Sequence, residues 1–234
     1  MKYSWSRFTG SKFVMLCGLF SGFLMAAASP AFAHDMWFEK EGDGYKFYCG
    51  HLAPEPGEER LMQLDISKIK YLNGIDAKGT KKDILSLAAA QDKAIKIPHK
   101  CGAMSLFYYG GFYSILLDGE EKNLPKNKVD KIAIKSWESK EFVKYIDSID
   151  KCDTAFGDEF EIVPLKDIKS LSQGDKLNVR VLYKGKPVEN AIVAYKAHVL
   201  GTTDEKGGLR LKLRDSGLQS IEAGLSIPVN SPET

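Results

Sequence analysis

Alternation of apolar and polar residues in the second half of the chain is the feature that most restricts its possible folds. Residues 177–181 place an apolar side chain at every second position, and residues 209–213 do the same. A period of two predicts strands with one buried face. The segments are short, and turn residues separate them at 184–188 and 202–208. This pattern predicts an immunoglobulin-like β-sandwich over residues 156–234.

The first half also favours strands. Aromatic runs at residues 37–39 and 45–49 flank Asp43-Gly44, which is a hairpin signal. One segment differs, because the apolar residues of 137–149 recur at spacings of three and four and therefore predict a helix. The predicted fold class is mainly β, with two β-sandwich-like modules at 34–155 and 156–234, the second immunoglobulin-like, and one helix near 137–149.

The end of the chain leaves the predicted sandwich open. Residues 220–223 have the composition of a strand, and the sandwich still lacks a closing strand after them. An uncovered sheet edge is an aggregation liability that natural proteins avoid. We therefore expect the second module to be truncated at its C-terminal end.

Residues 1–33 have the three parts of a secretory signal peptide. Three basic residues, Lys2, Arg7 and Lys12, lie within the first twelve positions, residues 13–28 are mainly apolar, and Ala31-Phe32-Ala33 offers small residues for cleavage after either Ala31 or Ala33. Cleavage predicts an exported, periplasmic protein. No second apolar stretch is long enough to span a membrane, so no span is expected after cleavage.

Charge excludes a nucleic-acid partner. The chain has 33 basic and 31 acidic residues, and cleavage of the leader would remove three of the basic ones. The remaining chain is close to neutral and contains no basic run.

Cleavage after Ala33 would make His34 the first residue. Its free α-amine and its imidazole could then chelate one divalent ion, whereas an internal histidine offers a single nitrogen. Cleavage after Ala31 would place His34 third from the amine, an arrangement that suits square-planar nickel or copper. The alternative is that His34 simply follows the cleavage site and binds nothing.

Two cysteine–histidine pairs are further metal-ligand candidates. Cys49 is two residues from His51, and Cys101 is two residues from His99, so each pair would share one face of a strand. The competing interpretation is a Cys49–Cys101 disulfide, because an oxidising compartment favours pairing of two of the three mature cysteines. Cys152 would then be left over.

Together these motifs resemble the periplasmic components associated with nickel and cobalt uptake transporters, a family long described as a domain of unknown function. The matching segments are residues 33–38, Gly50-His51 before a Pro-Gly loop, and residues 160–165, 173–175, 181–188 and 203–207. The resemblance implies capture of a nickel or cobalt ion and its delivery to inner-membrane transporter subunits. His34 and His51 are the positions that match, and His99 is added from its place beside Cys101.

Two other classes remain open. A mature N-terminal histidine with a second histidine is also how copper oxygenases hold their metal, and such an enzyme usually needs an axial tyrosine. Alternatively, the sandwich is an envelope interaction module and His34 is incidental. No hydrolase motif is present, and we expect a protein that is not an enzyme.

Overall fold

The computed structural model describes residues 34–147, 152–196 and 198–234. The predicted signal peptide and its two cleavage sites lie outside this part of the chain. The described residues form sixteen strands and four single-turn 3-10 helices. They contain no helix of the length and hydropathy that a membrane span requires.

All strand pairs are antiparallel within four sheets. The strands of the first half are β1 (Asp35–Glu41), β2 (Gly44–Gly50), β3 (Ile69–Ile75), β4 (Lys81–Asp83), β5 (Ala89–Gln91), β6 (Ala94–Ile97), β7 (Ala103–Leu116), β8 (Glu121–Lys122) and β9 (Ala133–Ile146). Those of the second half are β10 (Phe160–Pro164), β11 (Lys176–Tyr183), β12 (Lys186–Pro187), β13 (Ile192–Tyr195), β14 (His198–Thr202), β15 (Gly208–Lys212) and β16 (Ile221–Gly224).

The first half packs two sheets face to face. One has the order β1-β2-β6-β5, and in the other β7 pairs with β3, β8 and β9 while β4 pairs with β3. Phe38, Phe47 and Ile95 of the first sheet share one buried core with Leu72 and Leu106 of the second. The predicted hairpin at Asp43-Gly44 is confirmed, with Gly42 in a left-handed conformation that glycine adopts without strain.

The predicted helix at 137–149 is wrong. Residues 133–146 form β9, which pairs along its length with β7 and stacks the ring of Trp137 on that of Tyr113. The sequence pattern misleads because β9 is covered on both faces. Val143 packs against the core of the first half, while its neighbour Phe142 packs against the second half. In a strand that packs on both faces, apolar residues no longer alternate with polar ones. Their spacing can then resemble that of a helix.

The second half is the predicted sandwich. Its sheets are β10-β11-β12, with β15 also paired to β11, and β14-β13-β16. Val179 and Leu211 from the first of these sheets pack with Tyr195 from the second. Strands β1–β9 pair only with one another in the described chain, as do β10–β16. The division into modules between residues 155 and 156 stays a prediction. It lies between β9 and β10, which belong to different sheets.

A buried polar network joins the two halves. Lys144 Nζ lies 2.6 Å from Glu161 Oε1, and the Glu161 carboxylate also accepts the backbone N–H groups of Phe156 and Gly157 at 2.6 and 3.0 Å. Nearby, Asp158 accepts hydrogen bonds from Ser105 Oγ and Tyr71 Oη. Ser105, Asp158 and Glu161 are accordingly buried. Each carboxylate therefore has several donors, as buried charges require.

Candidate metal centre

The hairpin of β1 and β2 brings two of the predicted ligands together. Its register pairs Asp35 with Gly50 and continues to Glu41 with Gly44 at the turn. One step beyond Asp35 and Gly50, His34 stands opposite His51. The two imidazole rings meet edge to face, with centroids 5.2 Å apart and planes at 74°. Two residues that are 17 positions apart in sequence thus form one pair of imidazoles at the open end of the hairpin.

His34 has a nitrogen without a partner. Its Nδ1 atom is buried and makes no hydrogen bond within the described residues. Burial lowers the pKa of the His34 imidazole, the nearby His51 lowers it further, and Asp35 opposes both. The neutral ring, which keeps a free lone pair for a metal, is therefore favoured.

Hydrogen bonds from the backbone N–H groups of His51 and Leu52 hold this segment in place. The His51 N–H donates to the Arg60 carbonyl at 2.8 Å, and the Asp35 carboxylate accepts the Leu52 N–H at 2.7 Å. Gly50 is required because a Cβ atom there would lie 2.0 Å from the Arg60 oxygen. The residues flanking the two histidines, Asp35 and Gly50, therefore hold the open end of the hairpin in place.

His99 is not part of this pair. It follows β6, whose residue Ile97 pairs with Tyr45 beside the hairpin turn. The turn lies six residues along β2 from His51, a separation of roughly 20 Å at 3.3 Å per residue. The structure therefore joins His34 and His51 and leaves His99 at the opposite end of the sheet.

The expected disulfide is absent from the described chain, where Cys49, Cys101 and Cys152 are all free. Cys49 and Cys101 lie near opposite ends of the same sheet, too far apart to form a disulfide. Cys49 lies near the open end of the hairpin, whereas the Cys101 carbonyl accepts a hydrogen bond from Tyr45 Oη near the turn. Burial raises the pKa of the Cys49 thiol to about 11, which disfavours its thiolate form in the metal-free protein.

Side chains alone offer an incomplete ligand set. The described residues contain no group of three or more His, Cys, Asp and Glu side chains arranged to hold a metal ion. The His34–His51 pair supplies two nitrogens. A third would come from the α-amine of His34, if the chain is cut after Ala33.

A cleft of about 850 Å³ opens beside the pair and extends between the two halves of the chain. Its walls include His34 and Met36 of the first half and β16 of the second. Glu141 on β9 also lines it. Burial raises the pKa of this carboxyl to about 7, a hydrogen bond from Ser139 opposes the shift, and the neighbouring Glu222 adds to it.

Glu141 and Glu222 were missed in the sequence because nothing local marks them. Glu141 belongs to the segment that imitated a helix, where an acid suggests a solvated face. Glu222 lies on a strand after the domain boundary. Only the packing of the two halves places both carboxylates in one cleft, and no spacing rule predicts that.

Comparison with known proteins gives one match. A family model described as "Domain of unknown function (DUF4198)" covers residues 31–226, which is most of the chain and includes both histidines of the pair. Neither the curated proteins nor the solved structures contain a match to this chain.

Proposed function

We propose that this chain, a member of the DUF4198 family, is an exported protein that binds a nickel or cobalt ion and delivers it to a membrane transporter. One observation carries the proposal. The rings of His34 and His51 meet edge to face with their centroids 5.2 Å apart, and the buried Nδ1 of His34 makes no hydrogen bond among the described residues. A buried nitrogen without a hydrogen bond costs free energy, which a bound metal would offset. The resemblance noted in the sequence supports the choice of nickel or cobalt and the periplasmic location.

The donor set suits a carrier. Nδ1 of His34 and the α-amine of the same residue can close one chelate ring after cleavage, and His51 adds a third nitrogen. Imidazole and amine nitrogens suit late first-row metals. Three protein ligands leave positions open, and an open site lets an ion be passed on, whereas a closed four-ligand cage retains it. The ion is cargo in this proposal, so no catalytic residue is assigned.

A copper oxygenase would use the same two histidines, but the tyrosines of the hairpin do not favour it. Tyr45 Oη is bonded to the Cys101 carbonyl near the turn. Tyr48 stacks on Trp37, and both occupy the face of the sheet opposite to Cys49 and His51. Neither hairpin tyrosine therefore takes an axial position beside the pair.

The test is calorimetric titration with nickel and cobalt of protein that a bacterial host has exported and cleaved, with its N-terminus sequenced. A variant with one alanine inserted before His34 moves the α-amine away without changing the hairpin. His51→Ala removes the second imidazole, and His99→Ala is the matched control. Binding that weakens in the first two variants and persists in His99→Ala supports the proposal.

Other outcomes point elsewhere. Equal binding in all variants would place the metal away from the hairpin. Absence of binding in the cleaved protein would reject the carrier and favour the envelope interaction module. Copper binding with oxygen consumption would favour the oxygenase.

A further inference from the structure

Met36 is the next residue after His34 on the same face of strand β1. Side chains two positions apart on a strand share one face, and their Cα atoms are about 7 Å apart. Phe38, the following residue on that face, belongs to the buried core, and the half-buried Met36 packs against the same core. Met36 also lines the cleft together with His34. The Met36 side chain therefore lies between the core and the imidazole pair.

The register of the hairpin repeats this arrangement across the two strands. Met36 pairs with Cys49, and one same-face step towards the open end brings His34 opposite His51. Diagonal neighbours on one face of an antiparallel pair are about 7–8 Å apart, within reach of long side chains. Methionine has a flexible, unbranched side chain. The thioether of Met36 is therefore within reach of both imidazoles.

The donors at this end of the hairpin carry no charge. Neutral imidazole and thioether groups bind a metal without losing a proton, and no third His, Cys, Asp or Glu side chain of the described chain is arranged with the pair to hold an ion. Asp35, next to His34, supplies one negative charge. Because a buried charge is costly unless it is balanced, this environment suits a monovalent cation better than a divalent one. Among biological metals, thioether sulfur selects Cu(I), and imidazole also suits copper.

We propose that the His34–His51 pair and the thioether of Met36 form a site for a cuprous ion, as a second mode of binding beside that for nickel or cobalt. The inference rests on the proposed function only in that both modes use the same two imidazoles. They differ in the third ligand, which is the α-amine of His34 for nickel or cobalt and the Met36 sulfur for cuprous copper. The cuprous mode therefore does not require cleavage after Ala33.

The first experiment measures cuprous affinity of the full exported protein by competition with the chromophoric chelator bicinchoninate, under ascorbate and without oxygen. Met36→Leu replaces the thioether with a hydrocarbon of similar volume. Met104→Leu is the matched control, because Met104 is wholly buried in the same core. We expect Met36→Leu to weaken cuprous binding at least tenfold and Met104→Leu to leave it unchanged. Near-ultraviolet circular dichroism checks that each variant is folded.

Opposite responses of two variants separate this inference from the nickel proposal. An alanine inserted before His34 should leave cuprous affinity unchanged and weaken nickel binding. Met36→Leu should do the reverse. Cuprous binding that needs Met36, in a protein that binds no nickel, would reject the nickel proposal and leave this inference standing.

X-ray absorption at the copper edge identifies the sulfur donor directly. Cysteine thiolates also bind cuprous copper, so the protein is labelled with selenomethionine, which places selenium at methionine positions alone. We expect selenium at bonding distance from copper in the labelled protein. This signal should vanish in Met36→Leu and persist in Met104→Leu.

Three results would overturn the inference. One is unchanged cuprous affinity in Met36→Leu, and another is copper without bonded selenium. The third is a loss that follows Met62→Leu in place of Met36→Leu, since the Met62 N–H donates to the Cys49 carbonyl and places a second methionine beside the hairpin. Cys49→Ser should retain cuprous binding, and its failure to do so with Met36→Leu unaffected would assign the ion to the thiol.

Discussion

Two polar sites of this protein differ in how completely their atoms are paired. At the junction of the halves, the Glu161 carboxylate accepts from Lys144 and from two backbone N–H groups. At the open end of the hairpin, His34 Nδ1 is equally removed from water and accepts or donates nothing within the described residues. Both sites incur the cost of desolvation, but only the first recovers it within the fold. The junction therefore stabilises the fold, and the unpaired nitrogen at the hairpin end is the atom that the proposed metal site would use.

The largest effect should come from breaking the paired site. Glu161→Ala would leave the ammonium of Lys144 and two backbone N–H groups buried without their acceptor. Removal of one partner from a buried ion pair typically costs about 3–5 kcal/mol. Burial already lowers the pKa of Lys144 despite the opposing effect of Glu161, so loss of the carboxylate should lower it further. Urea unfolding measures the change.

The control for that variant is Lys196→Met at the more exposed pair with Asp215. Exposed ion pairs contribute about 0–1 kcal/mol. A similar loss in Lys196→Met and Glu161→Ala would remove the distinction between the junction and ordinary surface pairs.

The next largest effect concerns the unpaired site with metal present. An alanine inserted before His34 should lower nickel affinity at least 100-fold, because the chelate ring between the α-amine and the imidazole is lost. That factor corresponds to about 2.7 kcal/mol. Calorimetry measures it, and the same insertion should leave the unfolding free energy of metal-free protein unchanged. Unaltered affinity would exclude the α-amine of His34 as a ligand and, with it, the chelate ring.

Glu141 is an intermediate case, since it has one hydrogen bond, from Ser139. Its pKa is about 7 in the folded protein against an ordinary 4.5, so the folded state holds the proton more tightly. Its contribution to stability is therefore present in full below pH 4.5 and is lost as the pH rises to 7. Glu141→Gln should flatten the fall in unfolding free energy over that window by roughly 1–3 kcal/mol. An unchanged profile would show that Glu141 stays ionised in the fold.

The smallest effect concerns the unpaired site without metal. His34→Phe should raise the unfolding free energy of metal-free protein by about 1 kcal/mol, because it removes a buried nitrogen that has no partner. Thermal unfolding in the presence of a chelator measures it. A clear loss of stability would mean that solvent already pairs with Nδ1 and that the two sites are alike.

The sequence predicts the features that depend on local residues, but not those that depend on how distant segments pack. Strands β11 and β15 follow from the alternation of apolar and polar residues, which depends on local burial. The hairpin follows from the glycines around Asp43, but its register does not, because the observed turn is Gly42-Asp43 and only this turn sets His34 opposite His51. The ion pair of Lys144 and Glu161 does not follow, because it depends on how the sheets of the two halves pack against each other. The same packing covered both faces of β9 and removed the signal that would have identified it as a strand.

The hairpin register restricts how the length of its turn can vary among related chains. The pairing of β1 with β2 has no register shift between Asp35 and Glu41. The residue that lies opposite His34 is therefore set by the number of residues in the turn. One residue gained or lost in that exposed turn would rotate His51 to the opposite face of the sheet. The turn lies at the opposite end of the hairpin from both histidines. Related chains that keep the pairing of the two histidines must therefore keep the length of this turn, although it lies at the other end of the hairpin.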